Sequence, residues 1–198
     1  MGGMIATELC LLRPQTFVSC TLTSTHAGRT LPPLTMVTAG PKFFFAAKEN
    51  KVFHKGKILF PESFYESDAP DDFKPESEFI ISEKVKFEGY KMKHVIMESH
   101  IKRSKLTKPI NPKVMLLQWG ATITHYVSPD RLKDLSSSHI KFLVVCGLQD
   151  VVIRPSNSIY LAKQLDCKLE LFENAGHGLI EQLAKQYNNL VENFINSV

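Results

Sequence analysis

Apolar positions along this chain fall into two regimes. At the start, Met4, Ile5, Leu9, Leu11 and Leu12 are dense enough to predict a buried helix over 3–12. Arg13-Pro14 stops it, because a residue before proline is pushed out of the helical region. The β-rich run Phe-Val-Ser-Cys-Thr-Leu-Thr then predicts a short buried strand over 17–23. From 25 to about 127 the pattern loosens into helical and irregular signals with few clean strands. It settles near the end of that stretch into a helix over 114–126, started by Asn111-Pro112. Order returns at Ile140. Ile-Lys-Phe-Leu-Val-Val-Cys is nearly all apolar and ends at Gly147, the signature of a strand buried on both faces in a parallel sheet. An amphipathic helix follows over 156–165 with Ser156 as its N-cap, then a strand over 168–172. A single closing helix over 179–195 shows Leu179, Leu183, Tyr187, Leu190, Val191 and Phe194 at three-and-four spacing. Alternation of strand and helix from 140 onward predicts parallel strands joined by right-handed crossovers.

Composition sharpens this only in part. A chain of 198 residues, 43% hydrophobic and 22% charged, has enough apolar content for a packed core and is not a disordered polymer. It has no apolar run long enough to cross a bilayer, and Met1 to Glu8 does not read as a secretory leader. The net charge of +4 is mild but segregated. Eight acids and one base lie between Glu62 and Glu83, and nine bases and two acids between Lys84 and Lys113. With no nucleic-acid motif beside it, the basic block is expected to be a solvated face opposite the acidic one, and no nucleic-acid partner is expected. Cys10, Cys20, Cys146 and Cys167 form no C-x-x-C pair and no metal spacing with histidine. Cys10, Cys20 and Cys146 sit in apolar runs and read as small hydrophobes, and a reducing, cytoplasmic compartment is expected. His26, His54, His94, His100, His125 and His139 show no ligand pattern and read as surface or satisfied side chains. Phe43-Phe44-Phe45 reads as buried packing.

Two loops carry the candidate chemistry. Gly147-Leu148-Gln149-Asp150 follows one buried strand and Asn174-Ala175-Gly176-His177-Gly178 follows the next. Carboxyl ends of parallel strands are where open α/β sheets build their sites. An acid on one such loop can hold the imidazole of the next in a single tautomer and stabilise it once protonated. Gly176 and Gly178 are expected to let the loop turn tightly and leave the ring unobstructed.

On these residues the stretch from Ile140 to Val198 resembles the C-terminal end of the α/β-hydrolase fold. Asp150 stands at the family's catalytic-acid position and Ala175-Gly176-His177-Gly178 at its catalytic-histidine loop. Arg13-Pro14, Val18, Leu22 and Thr25 resemble the family's sixth strand and the turn before it. Met1-Gly2-Gly3-Met4-Ile5-Ala6 resembles the tail of a nucleophile elbow whose serine would stand just before Met1. The resemblance implies an α/β fold made of the last three strands of the hydrolase sheet with their helices. It places partial core at 1–24, a largely helical cap insertion at 25–127 and core again at 128–198.

What the resemblance implies about function follows the same lines. The parent protein would hydrolyse a carboxylic ester, small-molecule or lipid, with a Ser-Asp-His triad of which this chain supplies Asp150 and His177. No cofactor and no metal are implied. Met1 would supply an oxyanion N–H, a role that a chain-terminal ammonium cannot fill. Gln118 and Trp119, on the helix that closes the insertion, are candidates to line the substrate pocket, although a lone Trp on an apolar helix is more often core. Met-Gly-Gly after the nucleophile is more typical of serine esterases and lipases than of epoxide hydrolases, which carry an aspartate there; that alternative stays open. No G-x-S-x-G occurs in the chain. The chain as given is therefore expected to be inactive alone, with an interaction module as the other reading.

Overall fold

The computed structural model describes residues 1–28, 30, 48–83, 89–107 and 111–198. The expectation for Phe43-Phe44-Phe45 lies outside the described residues. Helix α1 (Gly2–Leu12) leads through a 3-10 turn at Pro14–Thr16 into strand β1 (Ser19–Thr23). An insertion follows that carries α2 (Lys48–Leu59), α3 (Glu62–Tyr65), α4 (Glu78–Glu83), α5 (Met92–Leu106) and α6 (Pro112–Thr124). The chain then forms α7 (Pro129–Ser136), β2 (Lys141–Gly147), α8 (Pro155–Leu165), β3 (Lys168–Phe172), α9 (Leu179–Gln182) and α10 (Ala184–Ile195). The three strands make one parallel sheet in the order β1-β2-β3, with Thr21 opposite Leu143 and Val145 opposite Glu170.

Strand β2 organises the core. Every residue from Phe142 to Gly147 is buried, and alternate side chains serve opposite faces. Phe142 and Val144 join Leu22, Cys10, Leu132, Leu135, Leu161 and Leu165, so this face is closed by α1, α7 and α8. Leu143 and Val145 join Ala175, Leu179, Leu183, Tyr187, Leu190 and Phe194, so α9 and α10 close the other. On that second face the hydroxyls of Thr23 and Tyr187 meet at 2.8 Å.

Several element ends differ from the hydropathy reading, each for a local reason. Strand β1 begins two residues late, at Ser19, because Phe17 N–H closes the 3-10 turn on Pro14 and Val18 is 72% exposed. Helix α6 ends at Thr124 because the chain is taken up at once by an antiparallel bridge between Tyr126 and Gly28. Its start is capped by Asn111, whose side chain accepts from Lys113 N–H. Helix α8 starts at Pro155 rather than being capped by Ser156; proline lacks only an N–H that the first turn does not use. The expected single closing helix is broken at Leu183, whose φ of −124° lies outside the helical range. Helix α7 has no counterpart in the hydropathy pattern, since it buries only Leu132 and Leu135. Its signal is Ser128-Pro129-Asp130, with Ser128 Oγ accepting from Arg131 N–H.

The charge blocks pair with each other. Lys91 bonds Asp68, Lys93 bonds Glu66 at 2.7 Å and Lys102 bonds Glu76 at 2.8 Å, tying α5 to the acidic stretch before it. Phe60, Tyr65 and Ile96 form a small apolar cluster beneath these pairs. All four cysteines are free. Burial pushes the thiol of Cys20 up to about 12 and those of Cys146 and Cys167 to about 11, so they remain protonated, unreactive groups.

The two chain crossings into the insertion are pinned together. Val127 N–H donates to Ala27 C=O at 2.7 Å. Gly28 has φ of 104°, and a Cβ there would lie 1.9 Å from the His125 carbonyl oxygen, so only glycine fits. His26 and His125, one on each crossing, stack edge to face at 6.2 Å. Arg131 grips Glu8 through both guanidinium nitrogens, at 3.1 and 2.6 Å, and Glu8 stands 4.0 Å from His125 Nδ1. His26 Nδ1 and His125 Nε2 are buried with no hydrogen-bond partner, as is His100 Nε2. These three histidines are thus neither surface groups nor fully satisfied ones, contrary to the sequence reading.

The sheet is open on one side. Lys141 N–H bonds Val18 C=O and Ser24 N–H bonds Val145 C=O, so the even-numbered residues of β1 face β2. The N–H and C=O groups of Ser19, Thr21 and Thr23 therefore point outward, and among the described residues no strand meets them. On α1, Met4, Thr7 and Cys10 are buried while Ile5, Leu9 and Leu12 are exposed.

Leu143 is wholly buried, and Leu143→Ala is expected to cost about 3 kcal/mol, read as a lowered urea midpoint at unchanged slope. Burial first, then mutual repulsion and the Met1 ammonium, hold His26 below the ordinary 6.5; burial holds His125 below it against the pull of Glu8. The unfolded chain then binds more protons than the fold below pH 6.5, so stability is lost as the pH is lowered through that window. The urea midpoint should drop as pH is lowered from neutral to mildly acidic. It should drop less in the His26→Gln, His125→Gln double variant, with His100, also held low by burial, supplying part of the remaining slope.

Candidate active site

The ends of β2 and β3 converge so closely that side chains are excluded. A Cβ on Gly147 would lie 2.2 Å from the Ala175 carbonyl oxygen. The following turns are laced together by Leu148 N–H to Phe172 C=O and Gln149 N–H to Ala175 C=O, both at 2.9 Å. Asp150 N–H donates to Gly147 C=O at 3.2 Å, which folds the acid back under the sheet end.

Asp150 is 4% exposed, and both of its carboxylate oxygens accept hydrogen bonds. Oδ1 accepts from Val152 N–H and Ile153 N–H, both at 2.8 Å. Oδ2 accepts from His177 Nδ1–H at 2.8 Å. The backbone bonds hold one carboxylate oxygen while the other holds the ring. An imidazole that donates from Nδ1 keeps Nε2 for exchange with a reacting group. His177 is itself 28% exposed, enough to be reached.

The glycines flanking His177 are there for proximity, not for backbone freedom. Neither adopts the left-handed region; among the described glycines only Gly28 and Gly89 do. A Cβ on Gly176 would lie 2.5 Å from the Leu59 carbonyl oxygen, and one on Gly178 would lie 2.6 Å from the Phe60 ring. Gly178 N–H donates to Leu59 C=O at 2.8 Å. The loop is therefore seated against the corner that joins α2 to α3, a contact with no local signal in the residues.

The remaining expected residues lie apart from this pair. Met1 sits at the start of α1, 48% exposed, with its carbonyl accepting from Met4 and Ile5 N–H. Its ammonium bears on His26 and His125. Gln118 and Trp119 are exposed on α6, Trp119 by 48%. A shallow cavity of about 300 Å³ opens at the opposite ends of the strands, beside Lys141 and Lys168, away from the pair. Among the described residues no group of acids, histidines and cysteines is arranged to hold a metal ion, and no helix is long and apolar enough to cross a membrane.

Asparagine at position 150 can still accept from Val152 and Ile153 but presents an amide to His177. Asp150→Asn should keep stability within about 1 kcal/mol while removing the low-field Nδ1–H proton signal of His177. Asp150→Ala, which strands two backbone N–H groups, should cost about 2–3 kcal/mol in urea unfolding.

No protein-family model matches the chain, and no curated protein matches it. Solved structures do. A serine hydrolase from the polyaromatic-hydrocarbon-degrading bacterium Cycloclasticus zankles superposes with a TM-score of 0.66 at 19% identity, over 99% of this chain and 61% of that one. An α/β hydrolase from a Medee basin deep-sea metagenome gives 0.61 at 17% identity, over 98% and 62%. A thermophilic esterase gives 0.56 at 17% identity, over 98% and 62%. The chain thus spans about three-fifths of the length of these structures. Its parallel sheet, the helices that close both faces and the loops at the strand ends are those of the α/β-hydrolase fold.

Proposed function

We propose that this chain supplies the acid–histidine half of a Ser-Asp-His hydrolase that cleaves a carboxylic ester. The observation that carries the reading is the 2.8 Å bond between a buried, doubly anchored Asp150 and His177 at the carboxyl ends of neighbouring parallel strands. His177 Nε2 takes the proton of the attacking serine and returns it to the leaving alkoxide; Asp150 holds the ring and stabilises its charged form. The serine comes from a segment ahead of Met1, consistent with the lack of G-x-S-x-G in the chain and with coverage of about three-fifths of the solved hydrolases. In this reading residues 25–127 are the cap that sets the substrate, a small-molecule ester or a lipid, with Gln118 and Trp119 on its last helix facing that substrate. The aspartate-nucleophile alternative is disfavoured by Met1-Gly2-Gly3. The exposed Ile5, Leu9 and Leu12 beside an open β1 edge favour an incomplete catalytic domain over a self-sufficient interaction module.

The test is hydrolysis of p-nitrophenyl esters by the 198-residue chain and by a version extended through its upstream reading frame. The chain alone should stay at background. The extended protein should turn over and lose activity by on the order of 10⁴-fold with Asp150→Asn and at least as much with His177→Ala. Turnover by the chain alone that disappears with His177→Ala would sink the proposal.

A further inference from the structure

We infer that Gln182 is a positioning residue that fixes His177 by clamping the backbone of its loop. The inference rests on His177 being the proton-transfer group proposed above. His177 rides on a stretch between β3 and α9 with no regular structure, flanked by two glycines whose intrinsic freedom works against a fixed ring. Asp150 anchors one ring atom, which leaves the loop free to swing the ring about that single bond unless its peptide groups are held. They are held from both sides. On the far side Gly178 N–H is taken by Leu59 C=O at 2.8 Å. On the near side one side chain does the work. Gln182 Oε1 accepts from Gly176 N–H at 3.1 Å, and Gln182 Nε2 donates to Asn174 C=O at 2.6 Å.

The chemistry of these partners fixes the orientation of the amide. Gly176 N–H can only donate and Asn174 C=O can only accept, so a flipped amide would lose both bonds. Only glutamine or asparagine offers a donor and an acceptor side by side, and at this position glutamine spans the gap. Asn174 is steadied in turn by Gln149 Nε2, which reaches its Oδ1 at 3.3 Å and the Glu173 carbonyl at 3.4 Å. The break at Leu183 completes the device. Gln182 is the last residue of α9, a helix that belongs to the histidine loop, while α10 turns away to cover the sheet.

The test is NMR on the full 198-residue chain, with its histidines and glycines labelled. In the wild type the His177 Nδ1–H proton should appear at low field and vanish with Asp150→Asn; its absence would overturn the acid–histidine reading itself. Given that signal, Gln182→Ala should broaden or shift it and speed Gly176 amide exchange by on the order of tenfold, with the urea midpoint little changed. Gln182→Glu keeps an acceptor for Gly176 but no donor for Asn174. It should protect the Gly176 amide while leaving the ring signal displaced, and it serves as the second variant if Gln182→Ala does not fold. A His177 signal and Gly176 exchange rate that match the wild type in both variants would overturn the positioning role.

Discussion

A strand buried on both faces cannot carry a charge anywhere along its length. β2 meets that constraint from Phe142 to Gly147, and most of the architecture follows from it. Two layers of helices are needed, and α1, α7 and α8 on one side and α9 and α10 on the other supply them. Polar chemistry is pushed to the strand's ends. The acid that follows β2, Asp150, is buried, so it has to be satisfied within the protein, and two backbone N–H groups and one imidazole serve its two oxygens. Desolvation and catalytic geometry are one problem here. A carboxylate with three fixed donors has no freedom left, and the imidazole it binds inherits that rigidity.

The insertion between β1 and β2 is not a loose appendage. Its two crossings are joined by a backbone bond at Ala27 and Val127, and its α2–α3 corner reaches the histidine loop through Leu59 and Phe60. The insertion thus helps to position the histidine loop. Gly176 and Gly178 leave no gap between them in which the insertion could shift without moving the loop. The junction carries its own cost in the two buried imidazole nitrogens, of His26 and His125, that find no partner among the described residues, and burial favours the neutral rings that make it tolerable.

How much of this was legible in the residues depends on whether the signal was local. Strand β2 was readable because a doubly buried strand is a continuous apolar run, and Phe142 to Cys146 is one. The acid and the histidine were readable because strand ends in a parallel sheet fall at predictable places. Their bond to each other was an expectation that the geometry makes concrete, while their catalytic roles stay with the proposal. Other features had no local signal. The clamp by Gln182 depends on a helix break at Leu183 inside a heptad-like run that periodicity alone reads as continuous. The reason for Gly176 and Gly178 is the approach of Leu59 and Phe60, more than a hundred residues earlier in the chain. His26 and His125 look unremarkable in sequence and meet only because the insertion returns to where it left. Long-range steric demands are invisible to a pattern, and that is where the reading fell short.

Gly147 has a consequence for how such a protein can be altered. The carbonyl of Ala175 occupies the place of its side chain, so even a methyl group at 147 would pry the two strand ends apart, and the acid and the histidine with them. A library of variants can therefore spread over exposed positions at little risk. The same library gains nothing from position 147, where the smallest change removes the hinge pin on which both site loops turn.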